Sequence, residues 1–401
     1  MSLIRYKPVA SDRMAAMWTL SQVRDAALVD YGPFGTTVFA KRKLGNMGVD
    51  TGNIVSTHLS EDEIIMGDVG ALERALLELD RERSCPLIIV VPSSILLATG
   101  ADIPGVCRYM RERIRARLLC YAALDGDGDY TRGLRAAYTL LVQSLCKKAE
   151  TQPRTCNLLG LSASSPTAEA DAAEVSALLR RAFGMETLLS LGLPCQSADF
   201  ERAGAAEVNV VLRFEALEAA EWMERELGIP YVCCPPYGYE GTARFLKLVG
   251  EAAGLEPPAE LLESLSRRAA EARLPGARTG FAIMGDWDLA DGLSRFASSM
   301  GVGVRTAVCE HEPPSALPEG TPVRFYETEK AWLDVLGNLH GCLILGDERV
   351  GYCAPKDNAF LICSNGELAP RGAYRGPLMG PAGADFLLER LRAYEASGRN
   401  H

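Results

Sequence analysis

The amino-acid sequence predicts an α/β protein of three Rossmann-like domains, each a mostly parallel sheet flanked by helices, around a central cleft. Short apolar runs rich in β-branched residues alternate with amphipathic helical segments, and the loops between them contain glycine, serine or aspartate. That alternation is typical of parallel sheets. The alternation of strand and helix patterns occurs in three successive blocks. A chain of 401 residues is long enough for about two to four domains. We therefore expect domains over residues 1–152, 153–274 and 275–401.

The first block shows the pattern most clearly after residue 60. The run Leu87–Val91 (LIIVV) has the length and β-branched composition of a buried strand. The predicted elements of this block are helix Val69–Asp80, strand Leu87–Val91, helix Ile103–Leu118, strand Leu119–Ala123 and helix Thr131–Lys147.

The second and third blocks repeat the alternation with different residues. In the second block we predict strand Cys156–Gly160, helix Glu169–Phe183, strand Glu207–Leu212, helix Ala216–Leu227, strand Ile229–Cys234 and helices Gly241–Ala253 and Ala259–Arg273. In the third block we predict strand Thr279–Met284, helix Leu289–Met300, strand Gly303–Val308, helix Ala331–Asn338, strands Gly341–Leu345 and Ala359–Cys363, and helix Ala382–Tyr394.

Charge and composition exclude several classes of protein. The net charge of −10 disfavours nucleic acid and anionic membrane as partners, because both need a basic surface. No apolar run is long enough to span a bilayer, and Met1–Leu20 lacks the apolar core of a signal peptide. The twelve cysteines contain no C-x-x-C motif. They indicate reduced thiols and a cytoplasmic location.

Common catalytic and ligand-binding motifs are incomplete in this sequence. No phosphate-binding loop is present, and Gly126 and Gly128 lack the third glycine of a dinucleotide fingerprint. The run Asp125–Asp129 begins like a calcium loop, but Tyr130 stands where the turn requires glycine. The nucleophile-elbow pattern at Gly160–Ser164 ends in serine instead of glycine. We therefore expect a polar turn at Asp125–Asp129 and a helix cap at Gly160–Ser164. We expect no metal site.

Several short motifs in the first block occur in the order known from one protein family. Tyr31–Thr36 (YGPFGT) resembles the motif H-G-P-x-G-C, and Ser56–Gly67 resembles T-x-L-x-E-x-D-I-V-F-G-G. The strand Ile88–Val91 with Ser94, and then Gly100–Ile103, resemble the strand, cysteine loop and G-D-D-I that follow. These are motifs of the nitrogenase component 1 type oxidoreductases, which include nitrogenase-like and dark protochlorophyllide reductase subunits.

The resemblance continues through the rest of the chain. Cys156–Gly160 is similar to V-N-L-[IL]-G, and Ala206–Leu212 is similar to the strand A-x-x-N-L-V. Gly228–Tyr231 is similar to G-I-P-[YF], and Tyr374–Ala384 is similar to the closing Y-x-G…G-x-x-G.

The resemblance implies an iron–sulfur cluster at a subunit interface, but the cysteines that would ligate it are missing. Thr36 and Ser94 stand at two of these cysteine positions, and no cysteine precedes Cys85. Because iron clusters are held by thiolates, hydroxyl groups are poor replacements. Among the first-block cysteines, Cys107 is predicted on a helix and Cys120 at the start of a strand, so a shared site is not expected.

The resemblance also bears on the family's large catalytic cofactor and on its partners. That cofactor is held by a cysteine of the second domain and a histidine of the third. Arg213 stands at the cysteine's place, and no histidine lies between Gly341 and Asn400. The family further implies a homo-oligomer or a heteromer with a related chain, and an ATP-dependent iron–sulfur reductase as electron donor.

Ligands of open α/β sheets bind beyond the carboxyl ends of the strands, and this rule selects the candidate site residues. They lie in six loops and are Gly32, Gly35, Thr36, Ser93, Ser94, Asp125, Gly126, Gly128, Ser162, Cys233, Cys234, Tyr237, Asp286 and Trp287. No catalytic residue is assigned among them.

Three of these loops have two interpretations each. Strand alternation allows at most one of Cys233 and Cys234 to face a cleft. The carboxylates and indole of 286–288 suit a planar or cationic ligand, although a helix start capped by Asp288 is preferred. Tyr237 and Tyr239 are expected to be exposed, in a cleft or at a subunit interface.

Three functional hypotheses follow. The first is a divergent nitrogenase component 1-like oxidoreductase subunit that does not bind the usual cluster by itself. The second is a non-catalytic protein on the same fold that holds a small molecule, a tetrapyrrole or a metallocluster precursor. The third is an unrelated three-domain enzyme with a phosphate-bearing ligand such as a sugar nucleotide.

Overall fold

A computed structural model describes residues 4–6, 9–82, 85–121, 129–309, 311, 323–325, 328–364 and 373–397. Its strands form three separate sheets, one in each predicted block. The strands of the first sheet are β1 (Ala26–Tyr31), β2 (Ile54–Ser56), β3 (Leu87–Pro92) and β4 (Arg117–Cys120). Those of the second are β5 (Thr155–Leu159), β6 (Glu186–Ser190), β7 (Val208–Val211) and β8 (Tyr231–Cys233). Those of the third are β9 (Gly280–Met284), β10 (Val304–Cys309), β11 (Val323–Phe325), β12 (Cys342–Gly346) and β13 (Ala359–Ile362).

Every pairing between these strands is parallel, which confirms the predicted α/β class. The strand orders are β2-β1-β3-β4, β6-β5-β7-β8 and β11-β10-β9-β12-β13. Because neighbouring strands point the same way, the loops that follow them gather at one edge of each sheet. The domain limits at residues 152 and 274 stay a prediction.

Helices connect the strands. In the first block they are α1 (Asp12–Leu20), α2 (Phe34–Asn46), α3 (Glu61–Met66), α4 (Gly70–Glu82), α5 (Ser94–Ala98), α6 (Ile103–Met110) and α7 (Tyr130–Leu145). In the second they are α8 (Ala168–Phe183), α9 (Ser197–Ala203), α10 (Leu217–Leu227), α11 (Gly238–Ala253) and α12 (Ala259–Ala272). In the third they are α13 (Trp287–Ser299), α14 (Glu329–Gly337), α15 (Arg349–Cys353) and α16 (Gly380–Ala396).

One predicted helix is wrong at its end. The predicted helix Ile103–Leu118 stops at Met110, and its last two residues already belong to β4. The Asp80 carboxylate of α4 accepts hydrogen bonds from the backbone N–H groups of Arg115 and Ala116, each at 3.0 Å. This long-range contact fixes a turn that helical periodicity does not reveal. Cys120 consequently ends a strand, where it was predicted to begin one.

Helix α7 joins the first sheet to the second. It packs against α1 on one side and α10 on the other, inside one continuous apolar core. The contact with α1 is close at Gly133, where a Cβ atom would lie 1.9 Å from the carbonyl oxygen of Asp12. A side chain at residue 133 would therefore push the two helices apart.

Helix α16 crosses from the third block to the second. It packs against α11 and α8, and the loop before it is held by a buried carboxylate of α8. Asp171 accepts hydrogen bonds from the backbone N–H groups of Leu378 at 2.7 Å and Met379 at 2.8 Å. The helices of the second sheet therefore pack against the closing helix as well as against each other.

Candidate functional site

A buried ion-pair cluster lies where the three blocks meet. Arg213 follows β7, and its Nη1 atom donates to Asp286 Oδ2 at 2.8 Å while its Nε atom donates to Glu215 Oε2 at 3.1 Å. Tyr130, at the start of α7, donates its hydroxyl to Asp286 Oδ1 at 2.6 Å. Arg213, Glu215 and Asp286 are each less than one-tenth exposed. The Asp286 carboxylate of the third block thus binds one residue from each of the other two blocks.

Asp288 is a further carboxylate of the cluster, and its ionised form is disfavoured. Asp288 Oδ2 accepts a hydrogen bond from the backbone N–H of Phe214 at 2.9 Å. Burial and the nearby Glu215 carboxylate raise the pKa of Asp288 to about 7. Burial alone would also raise the pKa of Asp286, but the Arg213 charge and the hydrogen bonds from Arg213 and Tyr130 lower it to about 2. The Arg213 guanidinium therefore keeps Asp286 ionised at neutral pH. Asp288 is divided between its protonated and ionised forms at the same pH.

A small polar cavity adjoins the cluster. Its volume is about 40 Å³, which is room for a few water molecules only. Its walls include Ser162, Asp171 and Arg213. Ser162 is buried and contacts the Ser164 hydroxyl at 2.9 Å, while the Arg213 Nη2 atom finds no acceptor among the described residues.

A larger groove lies on the outer side of the same junction, between α11 and α13. Its volume is about 560 Å³, within the range of roughly 300–1,000 Å³ typical of ligand pockets. The lining includes four of the predicted site residues, together with carboxylates and two arginines on the rim. They are Cys233, Cys234, Tyr237 and Trp287, with Glu240, Asp288, Asp291, Arg244 and Arg295.

Both thiols line this groove because β8 ends at Cys233, so strand alternation does not extend to Cys234. The expectation that at most one of them faces a cleft is therefore wrong. Cys233 is solvent-exposed, yet burial of its surroundings and the Asp288 charge raise the pKa of its thiol to about 12. At neutral pH this thiol is protonated and a poor nucleophile.

Two other expectations about this region are wrong. Asp286, and not Asp288, precedes the first turn of α13. The Asp286 carboxylate accepts hydrogen bonds from Arg213 and Tyr130 instead of capping the helix.

The expected exposure of the two tyrosines is also wrong, since Tyr237 and Tyr239 are buried, at 7% and 2% exposure. Tyr237 packs against Gly292 of α13, where a Cβ atom would lie 2.1 Å from its ring. Trp287 is buried as well, and its backbone N–H donates to His311 Nε2 at 3.2 Å.

The candidate residues of the first sheet form a separate group, at the carboxyl edge of β1 and β3. Gly32 lies against Ser93, since a Cβ atom at residue 32 would be 2.7 Å from the serine side chain. The Thr36 hydroxyl donates to the carbonyl of Pro33 at 2.7 Å. Gly35 and Ser94 are exposed beside them. Among the described residues, the ends of β1 and β3 therefore present hydroxyl groups and backbone.

Exposed apolar side chains lie on the helices that follow β1, β2 and β3, and we call them the first-sheet patch. Helix α3 has no buried residue, and its Ile65 and Met66 are 77% and 81% exposed. The patch consists of Phe34, Val38 and Phe39 of α2, Ile65 and Met66 of α3, and Ile95 of α5. A set of large exposed apolar groups at one sheet edge is typical of a protein interaction surface.

From the buried cluster the sequence predicts only Asp286 as a candidate site residue, with Asp288 expected as a helix cap. Tyr130, Arg213 and Glu215 are not among the candidates, although the charged pair Arg213 and Glu215 directly after a buried strand is a usable signal. Asp125, Gly126 and Gly128 lie outside the described residues. Within the described part of the chain, no group of three or more His, Cys, Asp or Glu side chains is arranged to hold a metal ion.

The three parallel sheets and the junction between them define a class of protein, and comparison with known sequences identifies it. The model of the nitrogenase component 1 type oxidoreductase family matches residues 11–393. The chain therefore belongs to that family, as its motifs predict, and the hypothesis of an unrelated three-domain enzyme is wrong.

Two kinds of protein are among the relatives of this chain. One subunit of the light-independent protochlorophyllide reductase of Methylocella silvestris is 32% identical over 247 residues, which are 58% of this chain and 48% of that protein. The nitrogenase iron-molybdenum cofactor biosynthesis protein NifE of Methanosarcina barkeri is 24% identical over 253 residues, 59% of this chain and 54% of its own. The chain thus spans about half the length of the curated relatives it matches.

A solved structure confirms the fold over the whole chain. Nitrogenase Cp1 at pH 6.5 superimposes with a TM-score of 0.81 at 17% identity, covering 99% of this chain and 94% of that one. In the part of the chain described, no helix is both long and apolar enough to cross a membrane.

The donor atoms present do not suit the metal groups that the family implies. At the first-sheet edge the resemblance assigns the ligand positions to Thr36 and Ser94, whose hydroxyls are poor ligands for cluster iron. At the junction it assigns one position to Arg213, whose guanidinium has no lone pair for a metal and already binds two carboxylates. The adjoining cavity of about 40 Å³ is also too small for a multinuclear cofactor.

Proposed function

We propose that the chain is a divergent oxidoreductase subunit of nitrogenase component 1 type that works in the cytoplasm and holds no iron–sulfur cluster on its own residues. The observation that carries this proposal is the first-sheet edge, where Thr36 and Ser94 stand in place of thiols and the helices that follow β1, β2 and β3 carry exposed apolar side chains. Such an edge suits contact with another chain better than ligation of a cluster. Where the partner is a related chain rather than a second copy, that chain would ligate any cluster in the assembly, and an ATP-dependent iron–sulfur reductase would supply electrons to it.

Iron and acid-labile sulfide, measured on protein purified without oxygen, test this proposal. We expect far less than one iron per chain and no thiolate-to-iron absorption in the visible range. Stoichiometric iron and sulfide would contradict it, because the chain would then hold a cluster with ligands other than those at residues 36 and 94.

The first-sheet patch predicts self-association. Replacing both Ile65→Asp and Met66→Asp places charges in the proposed interface, where an unpaired charge is costly to bury. In sedimentation velocity we expect a dimer for the unchanged chain and a monomer for the double variant. Because α3 buries no side chain, the double variant should keep its thermal unfolding midpoint.

Tyr352→Asp provides the matched control, since Tyr352 is 69% exposed but lies on α15, away from the first-sheet patch. It should leave the dimer intact. A monomeric unchanged chain would argue against self-association and in favour of a related chain as the partner.

The groove between α11 and α13 supports a second candidate function, the binding of a small molecule such as a tetrapyrrole. Its volume of about 560 Å³ is sufficient for an extended ring system, and Arg244 on its rim can pair with a carboxylate of the ligand. Titration with protochlorophyllide, followed by the shift of the tetrapyrrole absorption, should show saturable binding.

Arg244→Glu should weaken that binding by about tenfold, the effect of losing one charge-assisted contact. Lys247→Glu is the matched control, because Lys247 lies one turn further along α11 and does not line this groove. Equal affinity for the two variants would argue against the groove as the binding site.

A further inference from the structure

The surface of the first block carries a strongly basic segment that neither the family resemblance nor the proposed function uses. Residues 108–117 (RYMRERIRAR) contain five arginines and one glutamate, although the net charge of the chain is −10. The segment covers the end of α6, the turn after it and the first residue of β4, and all five arginines are exposed. Positive charge is therefore concentrated at one place on an otherwise acidic chain.

Most of this charge is not neutralised within the chain. Among the described residues, no carboxylate pairs with Arg111, Arg113 or Arg117. Arg108 pairs with Asp102 at 3.8 Å, but these two side chains are 65% and 73% exposed. Because exposed ion pairs contribute little to stability, four of the five guanidinium groups are available to a partner.

The backbone that carries the arginines is held in place by the remaining contacts of the segment. The Arg115 Nη2 atom donates to the backbone carbonyl of Asp80 at 2.6 Å, and the Asp80 carboxylate fixes the turn, as described above. The Arg111 Nε atom donates to the carbonyl of Leu118 in β4 at 3.2 Å. The segment is therefore ordered before any partner arrives, which reduces the entropy lost on binding.

An open groove adjoins the basic segment. Its volume is about 580 Å³, and the exposed ring of Tyr109 forms part of its wall. The Arg113 guanidinium lies over that ring, 3.9 Å from the ring centre, so a cation stands at the side of the groove. The other lining side chains are small apolar groups and two carboxylates, Val69, Ala101, Val106, Glu73 and Asp102.

This surface suits the carboxylates of a protein better than the phosphates of a nucleic acid. The planar guanidinium fork pairs with a carboxylate in bidentate geometry, and arginine and tyrosine are both enriched at protein interfaces. Glu73, Asp102 and Glu112 would repel a continuous run of phosphates, whereas a peptide can place uncharged residues against them. The field of a chain with net charge −10 opposes a long polyanion as well.

We propose that residues 108–117 and the groove beside Tyr109 form a docking surface for an acidic peptide segment of a partner protein. Carboxylates of that segment pair with the arginines that have no carboxylate partner within the chain, and one apolar side chain of the segment enters the groove. Because the arginines are exposed, salt weakens the association. The binding assay below measures neither iron nor self-association, so its outcome is independent of the proposed function.

Fluorescence anisotropy with the fluorescein-labelled peptide EEELEEE tests the surface on the full chain. We expect saturable binding that weakens as the salt concentration rises. Combining Arg113→Glu with Arg117→Glu should weaken the binding by about tenfold, because two attractive charge contacts become repulsive. Arg180→Glu combined with Arg181→Glu is the matched control, since it makes the same change of charge at two exposed arginines of α8, in the second block. The control should leave the affinity unchanged, and both double variants should keep the thermal unfolding midpoint.

Two further probes test the groove and the class of partner. The peptide EEESEEE, which lacks the apolar side chain, should bind about fivefold more weakly than EEELEEE, since it buries less apolar surface. A single-stranded oligothymidine of similar charge should also bind more weakly than EEELEEE. The proposal would be overturned by a lack of saturable EEELEEE binding, by equal losses in the two double variants, by equal affinity for the two peptides, or by tighter binding of the oligothymidine.

Discussion

Arg213→Met is expected to lower the free energy of unfolding by about 3–5 kcal/mol, the usual cost of removing one partner from a buried ion pair. The side chain of Arg213 is the cation that binds both Asp286 and Glu215, and all three groups are buried. Methionine has a similar length but leaves both carboxylates without a counter-charge. Urea denaturation of the two proteins at pH 7.5 measures the difference.

Arg268→Met is the matched control for that loss. Arg268 also pairs with a carboxylate far along the chain, Asp385, but both side chains of that pair are more than one-third exposed. Exposed pairs contribute about 0–1 kcal/mol. Adding Asp286→Asn to Arg213→Met should recover part of the stability, because one uncompensated carboxylate is removed. Equal losses for Arg213→Met and Arg268→Met would show that the buried cluster does not stabilise the junction.

Asp288→Asn is expected to raise the free energy of unfolding at pH 8 by on the order of 2–4 kcal/mol. The folded-state pKa of about 7 compares with an ordinary value of 3.8, and each pKa unit corresponds to about 1.4 kcal/mol. Asparagine keeps an oxygen that can accept the hydrogen bond from the Phe214 N–H. The substitution therefore removes the charge that the fold disfavours and retains the contact.

Because folding raises the pKa of Asp288, the free energy of unfolding falls as the pH rises. Below about pH 4 the folded and unfolded states both hold the Asp288 proton, so this group has no effect on stability. As the pH rises from about 4 to about 7, the unfolded state releases the proton first, and the free energy of unfolding falls. Above pH 7 the loss is complete and constant.

Urea denaturation at several pH values between 4 and 8 should therefore show the largest gain for Asp288→Asn at high pH and almost none at pH 4. Asp291→Asn, one turn further along α13 and paired with Arg295 at 2.9 Å on the surface, should show no such trend. Parallel pH profiles for the unchanged chain and Asp288→Asn would contradict the raised pKa.

Sequence reasoning could predict the fold because most of the buried strands are short apolar runs between turns. Leu87–Pro92 and Thr155–Leu159 are buried along their full length, as their composition indicates. The edge strand β6, Glu186–Ser190, was not predicted, since it mixes buried and exposed positions and lacks a continuous apolar run. The boundary between α6 and β4 depends on the distant Asp80 carboxylate, which no local pattern reveals.

The candidate site could be predicted only in part, for a similar reason. Strand-end loops are visible in a sequence, so Cys233, Cys234, Tyr237 and Trp287 were selected, and they do line one groove. The partners of the buried cluster are not visible, because Tyr130 and Asp286 are 156 positions apart. Whether a loop carboxylate caps its own helix or neutralises a distant arginine is decided by the packing of domains, which the local pattern of residues does not specify.

The crossing of α16 to the second block has a consequence for biosynthesis. A ribosome delivers this helix after every described strand, yet α8 and α11 bury apolar residues against it. Until translation reaches Gly380, the nascent second domain keeps that surface open to water and to other chains. A chain truncated before α16 would contain the strands of all three sheets but would expose the apolar faces of α8 and α11. Partly folded chains with exposed apolar surface are prone to aggregate or to be captured by chaperones.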